Sequence, residues 1–250
     1  MIKKFAKIGS LLVLLVFLLV TLAFTSLEYK HANCNDIEIN YDPEEVIKVD
    51  RLELVNLVKS LDKDIIGKDL DSINTVQIEQ AIEKHEAILN AEVYKVVTRT
   101  DSATFKGVLA INLEHRKPVV RIFSDKGNYY LDEFGGKIPV STNYAANVLV
   151  VTGDISEEFA KETLLSCVLA IEEDEFWNAQ IEQIHVQKDG DVILIPLIGD
   201  HTIEFGSLEN YPQKLRNMKA FYKQIMAKNN WNKYKTISLK YKDQVIAKRR

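Results

Sequence analysis

The chain has 250 residues, 46% of them hydrophobic and 27% charged, and this composition excludes a fibrous or wholly disordered protein. Its two cysteines, Cys34 and Cys167, are too far apart in sequence for a CxxC redox motif or a cysteine-rich zinc site. Three of the 32 basic residues lie within the first seven positions, so the rest of the chain carries 36 acidic against 29 basic residues. This acidic balance argues against a nucleic-acid binder, which needs a concentrated basic face.

Residues 8–27 form an uncharged apolar run that follows Lys3, Lys4 and Lys7. A helix of this length rises about 30 Å, the thickness of the hydrocarbon core of a bilayer. The lysines place the N-terminus in the cytosol by the positive-inside rule. We therefore predict a cytoplasmic tail over 1–7 and a retained transmembrane helix over 8–27. The alternative is a cleavable signal peptide, which would have a shorter apolar region and a better cleavage site than 25–27.

The first block after this run, residues 28–117, has the order strand, helix, helix, strand, strand. Period-two alternation over 37–41 predicts the first strand. Asp50, with Glu53 three positions later, has the spacing of a helix capping box. A second helix is predicted to begin after Asn74 or Thr75. The block ends in two predicted strands, 92–99 and 106–114, joined by a polar turn at 100–102.

The second block, residues 118–250, begins after a Lys-Pro step that disfavours helix. Its alternating segments are separated by glycine-containing turns, which indicates a mixed sheet. Two helices interrupt the strands, one over 156–171 and one from Pro212 to about 228. The predicted strands are 119–123, 129–131, 148–151, 181–187, 192–197, 202–205 and a single last strand, 236–245. The fold class is therefore α+β.

Motifs that carry catalysis are absent from the sequence. None of the five histidines has HExxH spacing, and there is no G-x-S-x-G elbow and no P-loop. Asp132 and Glu133 could form a carboxylate pair, but the glycines that follow favour a hairpin turn. The two cysteines could be paired or free. We therefore predict a binding protein without a catalytic, metal or cofactor site.

Several short motifs follow one another in a fixed order along the chain. They are the segments 90–93 and 108–118, 119–122, the YYLDEFG run at 129–135 with 138–141, 150–153, and 231–241. In order and type they resemble the FtsQ/DivIB family of bacterial cell-division proteins. The run Glu114-His115-Arg116-Lys117-Pro118 has one residue more than the E-R-x-P pattern of that family. The double tyrosine at 129–130 and the net acidic charge of the chain after the apolar run resemble the family members from Bacteroidetes-type Gram-negative bacteria.

The resemblance implies a POTRA-like β-α-α-β-β domain over 28–117 and an FtsQ-type β-domain over 118–250, a mixed sheet with flanking helices. It implies a non-enzymatic divisome scaffold in the inner membrane at the division septum, with its bulk in the periplasm. Such a scaffold links early division components to septal peptidoglycan synthesis. The implied partners are FtsB-like and FtsL-like coiled-coil proteins, with other divisome proteins at the POTRA-like domain.

Two other functional classes stay open at this point. The chain could be a POTRA-containing envelope assembly or secretion factor, although such proteins usually carry several POTRA domains or a long β-barrel. It could also be an anchored periplasmic enzyme with an unrecognised site.

The last predicted strand is the candidate partner-binding site. Residues 236–242 alternate between an apolar and a polar face, as in a half-buried strand. Lysines on such a strand are typical of a sheet edge, to which another protein can add an extended segment. From the resemblance we predict that the FtsB-like partner contacts Thr236, Ser238, Lys240, Tyr241 and Lys242. The alternative is a terminal strand that only completes the sheet.

Overall fold

The computed structural model describes residues 2–29, 32–99, 105–225 and 231–250. It divides into two compact units. Unit 1 comprises Met1–Pro43 and Val49–Glu114, and unit 2 comprises Glu44–Lys48 and His115–Arg250. The polar turn predicted at 100–102, the connection between two strands of unit 1, lies outside the described residues.

The first element, α1, is a helix over Ile2–Tyr29. Its large apolar side chains between positions 11 and 22 are exposed. Within the parts of the chain that the structure describes, no helix is both long enough and apolar enough to cross a membrane. The transmembrane segment predicted over 8–27 therefore stays a prediction.

Unit 1 follows the predicted order of elements. They are β1 (Cys34–Asn40), α2 (Arg51–Leu61), a 3-10 turn (Leu70–Ser72), α3 (Thr75–Ile82), β2 (Ile88–Arg99) and β3 (Phe105–His115). The strand order is β1-β3-β2, with β1 parallel to β3. The Asp50 carboxylate accepts a hydrogen bond from the Leu52 amide at 2.7 Å, and the Asn74 side chain caps α3. Both predicted helix starts are thus confirmed.

Unit 2 is built on a nine-stranded mixed sheet in the order β12-β11-β10-β9-β8-β7-β4-β5-β6. Its strands are β4 (Pro118–Ser124), β5 (Gly127–Asp132), β6 (Lys137–Pro139), β7 (Leu149–Gly153), β8 (Ile181–Val186), β9 (Val192–Pro196), β10 (Thr202–Gly206), β11 (Tyr234–Ser238) and β12 (Ile246–Arg249). Strands β4 and β8 are parallel to β7, and β10 is parallel to β11. The predicted α+β class with a large mixed sheet is confirmed.

Helices cover one face of this sheet. A continuous helix consists of α4 (Glu157–Phe159), a π-helical turn (Ala160–Leu164) and α5 (Leu165–Glu173), and it is followed by α6 (Glu175–Asn178) and α7 (Tyr211–Ile225). Alternate strand residues and the apolar faces of these helices form one buried core, which includes Val120, Val151, Ile184, Leu194, Phe205, Leu164, Val168, Trp177 and Met218. The other face of the sheet carries half-buried residues such as Arg121, Thr152 and His185.

The end of the chain differs from the prediction of one last strand over 236–245. Strand β11 ends at Ser238. The chain then turns through Asp243, which has a φ of 56°, and the Gln244 amide donates to the Tyr241 carbonyl at 3.3 Å. It returns as β12, antiparallel to β11. The single-strand prediction is wrong because the alternating pattern continues into a turn that reverses the chain.

Candidate partner-binding surface

Strand β12 is one of the two edges of the unit 2 sheet and has β11 as its neighbour in the sheet; the other edge is β6. Ala247 pairs with buried Ile237, whereas Ile246 and Lys248 are exposed. No other strand of the described residues pairs with the outer side of β12. An extended segment of another protein can therefore use its outer N–H and C=O groups.

Two of the predicted contact residues lie one strand further in. Thr236 and Ser238 belong to β11, between β10 and β12, where Thr236 is half-buried and Ser238 is 9% exposed. The expectation that their strand is the edge is wrong, because β12 covers it. Their contact with a partner stays a prediction.

The other three predicted residues lie together in a groove. Lys240, Tyr241 and Lys242 form the turn after β11, and this turn faces the start of α7 across a cavity of about 650 Å³. The charged side chains that line the groove are Lys214, Arg216, Lys240 and Lys242, with Glu209 and Asp243. The lining is therefore net cationic and favours an acidic ligand.

Lys240 is held in place by the sheet itself. Its Nζ lies 2.7 Å from Asp191 Oδ2, and the hydrogen bond that it donates to this carboxylate raises the pKa of Lys240. The backbone at Gly206, with a φ of 75°, passes so close that a Cβ there would lie 3.1 Å from Lys240 Cγ. Lys240 thus fixes the turn in its position on the sheet.

On the α7 side of the groove, Lys214 is also fixed. Its Nζ donates to the Phe205 carbonyl at 3.0 Å and to the Ser207 carbonyl at 2.7 Å, and burial lowers its pKa. By contrast, Tyr241 is 61% exposed and Lys242 is exposed. Their side chains are thus exposed on the turn, and their contact with a partner stays a prediction.

Neither β12 nor the contribution of α7 to the groove was predicted from the sequence. The run 246–249 has no alternation of apolar and polar residues that would mark it as a separate strand. No local signal places Lys214 and Arg216 opposite the turn, because they are more than twenty positions away in sequence.

The other residues that the sequence singled out, Asp132 and the two cysteines, are buried within the fold. Asp132 is 2% exposed and lies in the predicted turn, where its carboxylate pairs with Arg116 at 2.7 Å. Cys34 and Cys167 are buried free thiols. The described residues contain no group of histidine, cysteine or carboxylate side chains that could hold a metal ion.

Comparison with known proteins agrees with this architecture. A family model described as FtsQ/DivIB, C-terminal related, matches residues 117–248, more than half of the chain. The chain belongs to the FtsQ/DivIB family. In this FtsQ/DivIB protein, a POTRA-like domain model also matches residues 32–100. No curated protein matches the chain. The resemblance predicted from the motifs is therefore confirmed, and both domains associate the chain with cell division.

Proposed function

We propose that this FtsQ/DivIB protein is a non-enzymatic scaffold of the division machinery that binds an FtsB-like protein at the edge strand β12. The observation that carries the proposal is the open outer side of β12 beside an exposed tyrosine and lysine. An extended partner segment would add to β12 by main-chain hydrogen bonds. Side-chain contacts to Tyr241 and Lys242 would then select the partner.

The groove at the turn that leads into β12 determines which charge the bound segment should carry. Its lining has four cationic and two acidic side chains, so the bound segment would carry Asp or Glu next to its strand. Lys240 already balances the Asp191 carboxylate and Lys214 donates to two backbone carbonyls, whereas Arg216 donates to the neutral Gln213 side chain. Lys242 and Arg216 are therefore the cations assigned to the acidic segment. An FtsL-like protein would join through the FtsB-like one as a coiled coil.

The proposed location is the inner membrane, with residues from about 28 onward in the periplasm. The support is the uncharged run at 8–27 and the three lysines that precede it. The POTRA-like domain would then contact other divisome proteins. An alkaline phosphatase fused after Arg250 should be active in cells, and the mature chain should begin at or near Met1. An inactive fusion contradicts the orientation, and an N-terminus near residue 26 contradicts the retained anchor.

Co-purification with the FtsB-like protein of the same organism tests the binding proposal. The double variant Tyr241→Ala, Lys242→Glu should reduce recovery of the partner at least about tenfold, because an exposed aromatic anchor and its neighbouring charge often dominate an interface. The matched control is Phe123→Ala, Lys188→Glu. These two exposed residues lie in a different groove of the same sheet.

The control variant should bind the partner as the wild-type chain does. Both variants should keep the thermal unfolding midpoint, since none of the four side chains is buried. Undiminished recovery with the first variant would show that the partner docks elsewhere. An equal loss with both variants would show that the effect is not specific to the β12 groove.

A further inference from the structure

A second exposed aromatic residue lies far from β12 in the order of the sheet, in the turn between β5 and β6. Phe134 is 75% exposed. The turn that carries it is nevertheless rigid, because the buried Asp132 carboxylate accepts hydrogen bonds from the Phe134 amide at 3.0 Å and the Gly136 amide at 2.6 Å. Arg116 donates to the same carboxylate at 2.7 Å. The ring is thus held in solvent.

The two glycines of this turn show how closely it is packed. A Cβ at Gly136 would clash with Arg116 Nη1. Gly135, with a φ of 76°, lies against Lys161 and Leu165, whose side-chain carbons would be 3.6 and 3.7 Å from a Cβ there. Gly135 and Gly136 are thus packed against the rest of the protein. The side chains of the turn that project into solvent are those of Glu133 and Phe134.

A cavity of about 360 Å³ lies at the same end of the sheet. Pro118 pairs with Asp132 across β4 and β5, and the next residue, Val119, lines the cavity. Its apolar lining also includes Leu149, Ile171 and Ile181. The fixed turn thus places an exposed aromatic ring at the same end of the sheet as a partly apolar cavity, and aromatic side chains are enriched in protein interfaces.

Carboxylates surround this cavity and the turn. Glu172 and Glu182 line the cavity, and burial together with the nearby Glu133 raises the pKa of Glu172. Among the described side chains, no lysine or arginine forms an ion pair with Glu133, Glu172 or Glu182. Lys161, whose side-chain carbons lie against Gly135 and whose charge helps to lower the pKa of Glu157, is not among the residues that line the cavity. The cavity side is therefore net acidic.

We propose that Phe134 and the neighbouring acidic cavity form a second docking surface, which takes a partner segment with apolar and basic side chains on one helical face. The apolar residues of that segment would pack on Phe134 and enter the cavity, and its lysines or arginines would pair with Glu133 and Glu182. The β12 groove is net cationic, so the two surfaces select segments of opposite charge. This surface does not depend on the function proposed for β12.

Photo-crosslinking in the cells that make this protein tests the proposal. A photoreactive phenylalanine analogue replaces Phe134 in the full-length chain, and the same analogue at Phe123 serves as the control. The cross-linked peptide from position 134 is then sequenced. We expect a protein segment that combines Leu, Ile or Val with Lys or Arg, and that is absent at position 123.

The charges are tested with Glu133→Lys, Glu182→Lys, two exposed positions where reversal leaves the core intact. The yield at position 134 should fall about tenfold in this variant. It should survive Tyr241→Ala, so failure of this surface is distinguishable from failure of the β12 surface. The proposal is overturned if position 134 gives no cross-link, or if the cross-linked molecule is lipid, a second copy of this chain or a protein segment without basic residues. It is also overturned if the charge reversal leaves the cross-linking yield at position 134 unchanged.

Discussion

The Lys240 ammonium lies 2.7 Å from the Asp191 carboxylate, and this ion pair joins the turn after β11 to the turn between β8 and β9. Lys240 was predicted to face a partner, yet its charge is already balanced within the sheet. Lys242, two positions later, is exposed and stands on the groove. Lys240 therefore places the turn, whereas Lys242 is the lysine that we propose for recognition.

Reversing the charge of each lysine separately should separate these roles. Lys240→Glu places a carboxylate beside Asp191 and should lower the stability of unit 2 by about 1 kcal/mol, the upper value for an ion pair that is partly exposed to water. Lys242→Glu should leave stability unchanged. The measurement is tryptophan fluorescence during unfolding, because both tryptophans, Trp177 and Trp231, belong to unit 2. Equal unfolding curves for the two variants would contradict the assignment.

Acid should destabilise unit 2 through His201. This residue is 2% exposed, its Nε2 lies 2.6 Å from the Tyr222 hydroxyl, and burial lowers its pKa from 6.5. The unfolded chain therefore binds a proton near pH 6.5, whereas the folded chain does so only at lower pH. Stability is complete above about pH 6.5 and is lost as the pH falls below it.

The unfolding midpoint of unit 2 should consequently drop between pH 7.5 and pH 5. Each unit of pKa difference is worth about 1.4 kcal/mol, which corresponds to roughly 3–6 °C in a protein of this size. His201→Gln should be less stable at pH 7.5 but lose less on acidification. The same substitution at half-buried His185 is the control. If the wild-type chain and His201→Gln show parallel pH profiles, His201 does not carry the effect.

Neither cysteine should react with thiol reagents in the folded chain. Both are buried free thiols, and burial raises the pKa of Cys167 to about 12, so the reactive thiolate is scarce at neutral pH. A maleimide should label no thiol in the native protein and two after denaturation without reductant. Two protected thiols that stay unlabelled in denaturant would indicate a disulfide and contradict the structure.

The turn around Asp132 should be among the most sensitive positions of unit 2. Asp132→Ala leaves two backbone amides and Arg116 without their acceptor and should cost about 3 kcal/mol. Gly136→Ala should also destabilise unit 2, because its Cβ would lie 2.5 Å from Asp132 Oδ2. The control is Glu133→Ala, an exposed neighbour, which should unfold like the wild-type chain. Tolerance of Asp132→Ala would show that the turn does not need its buried carboxylate.

Local signals predicted much of this fold. The caps at Asp50 and Asn74 mark helix starts because a side-chain acceptor there satisfies amides that the helix leaves unpaired. The glycines after Asp132 mark a turn because one of them adopts a positive φ. Most strands of the large sheet, although not β6 or β12, followed from the alternation of residues that face the core on one side and solvent on the other.

The site was predicted less completely, since it depends on contacts between distant segments. The pattern of Ile237, Leu239 and Tyr241 is the same in a continued strand and in a strand that passes into a turn. Asp243 reverses the chain with a positive φ that aspartate adopts only in some contexts. The pairing of Lys240 with Asp191 joins residues 49 positions apart and has no signature in either segment.

Amide hydrogen exchange with and without the FtsB-like protein tests the docking of a partner strand on β12 most directly. Amides on the outer side of an edge strand exchange readily until another strand pairs with them. Binding should therefore protect β12 and the neighbouring turn at 239–244, while β6, the opposite edge of the same sheet, stays unchanged. Protection of β6 or of unit 1 with unchanged exchange in Ile246–Arg249 would contradict the account.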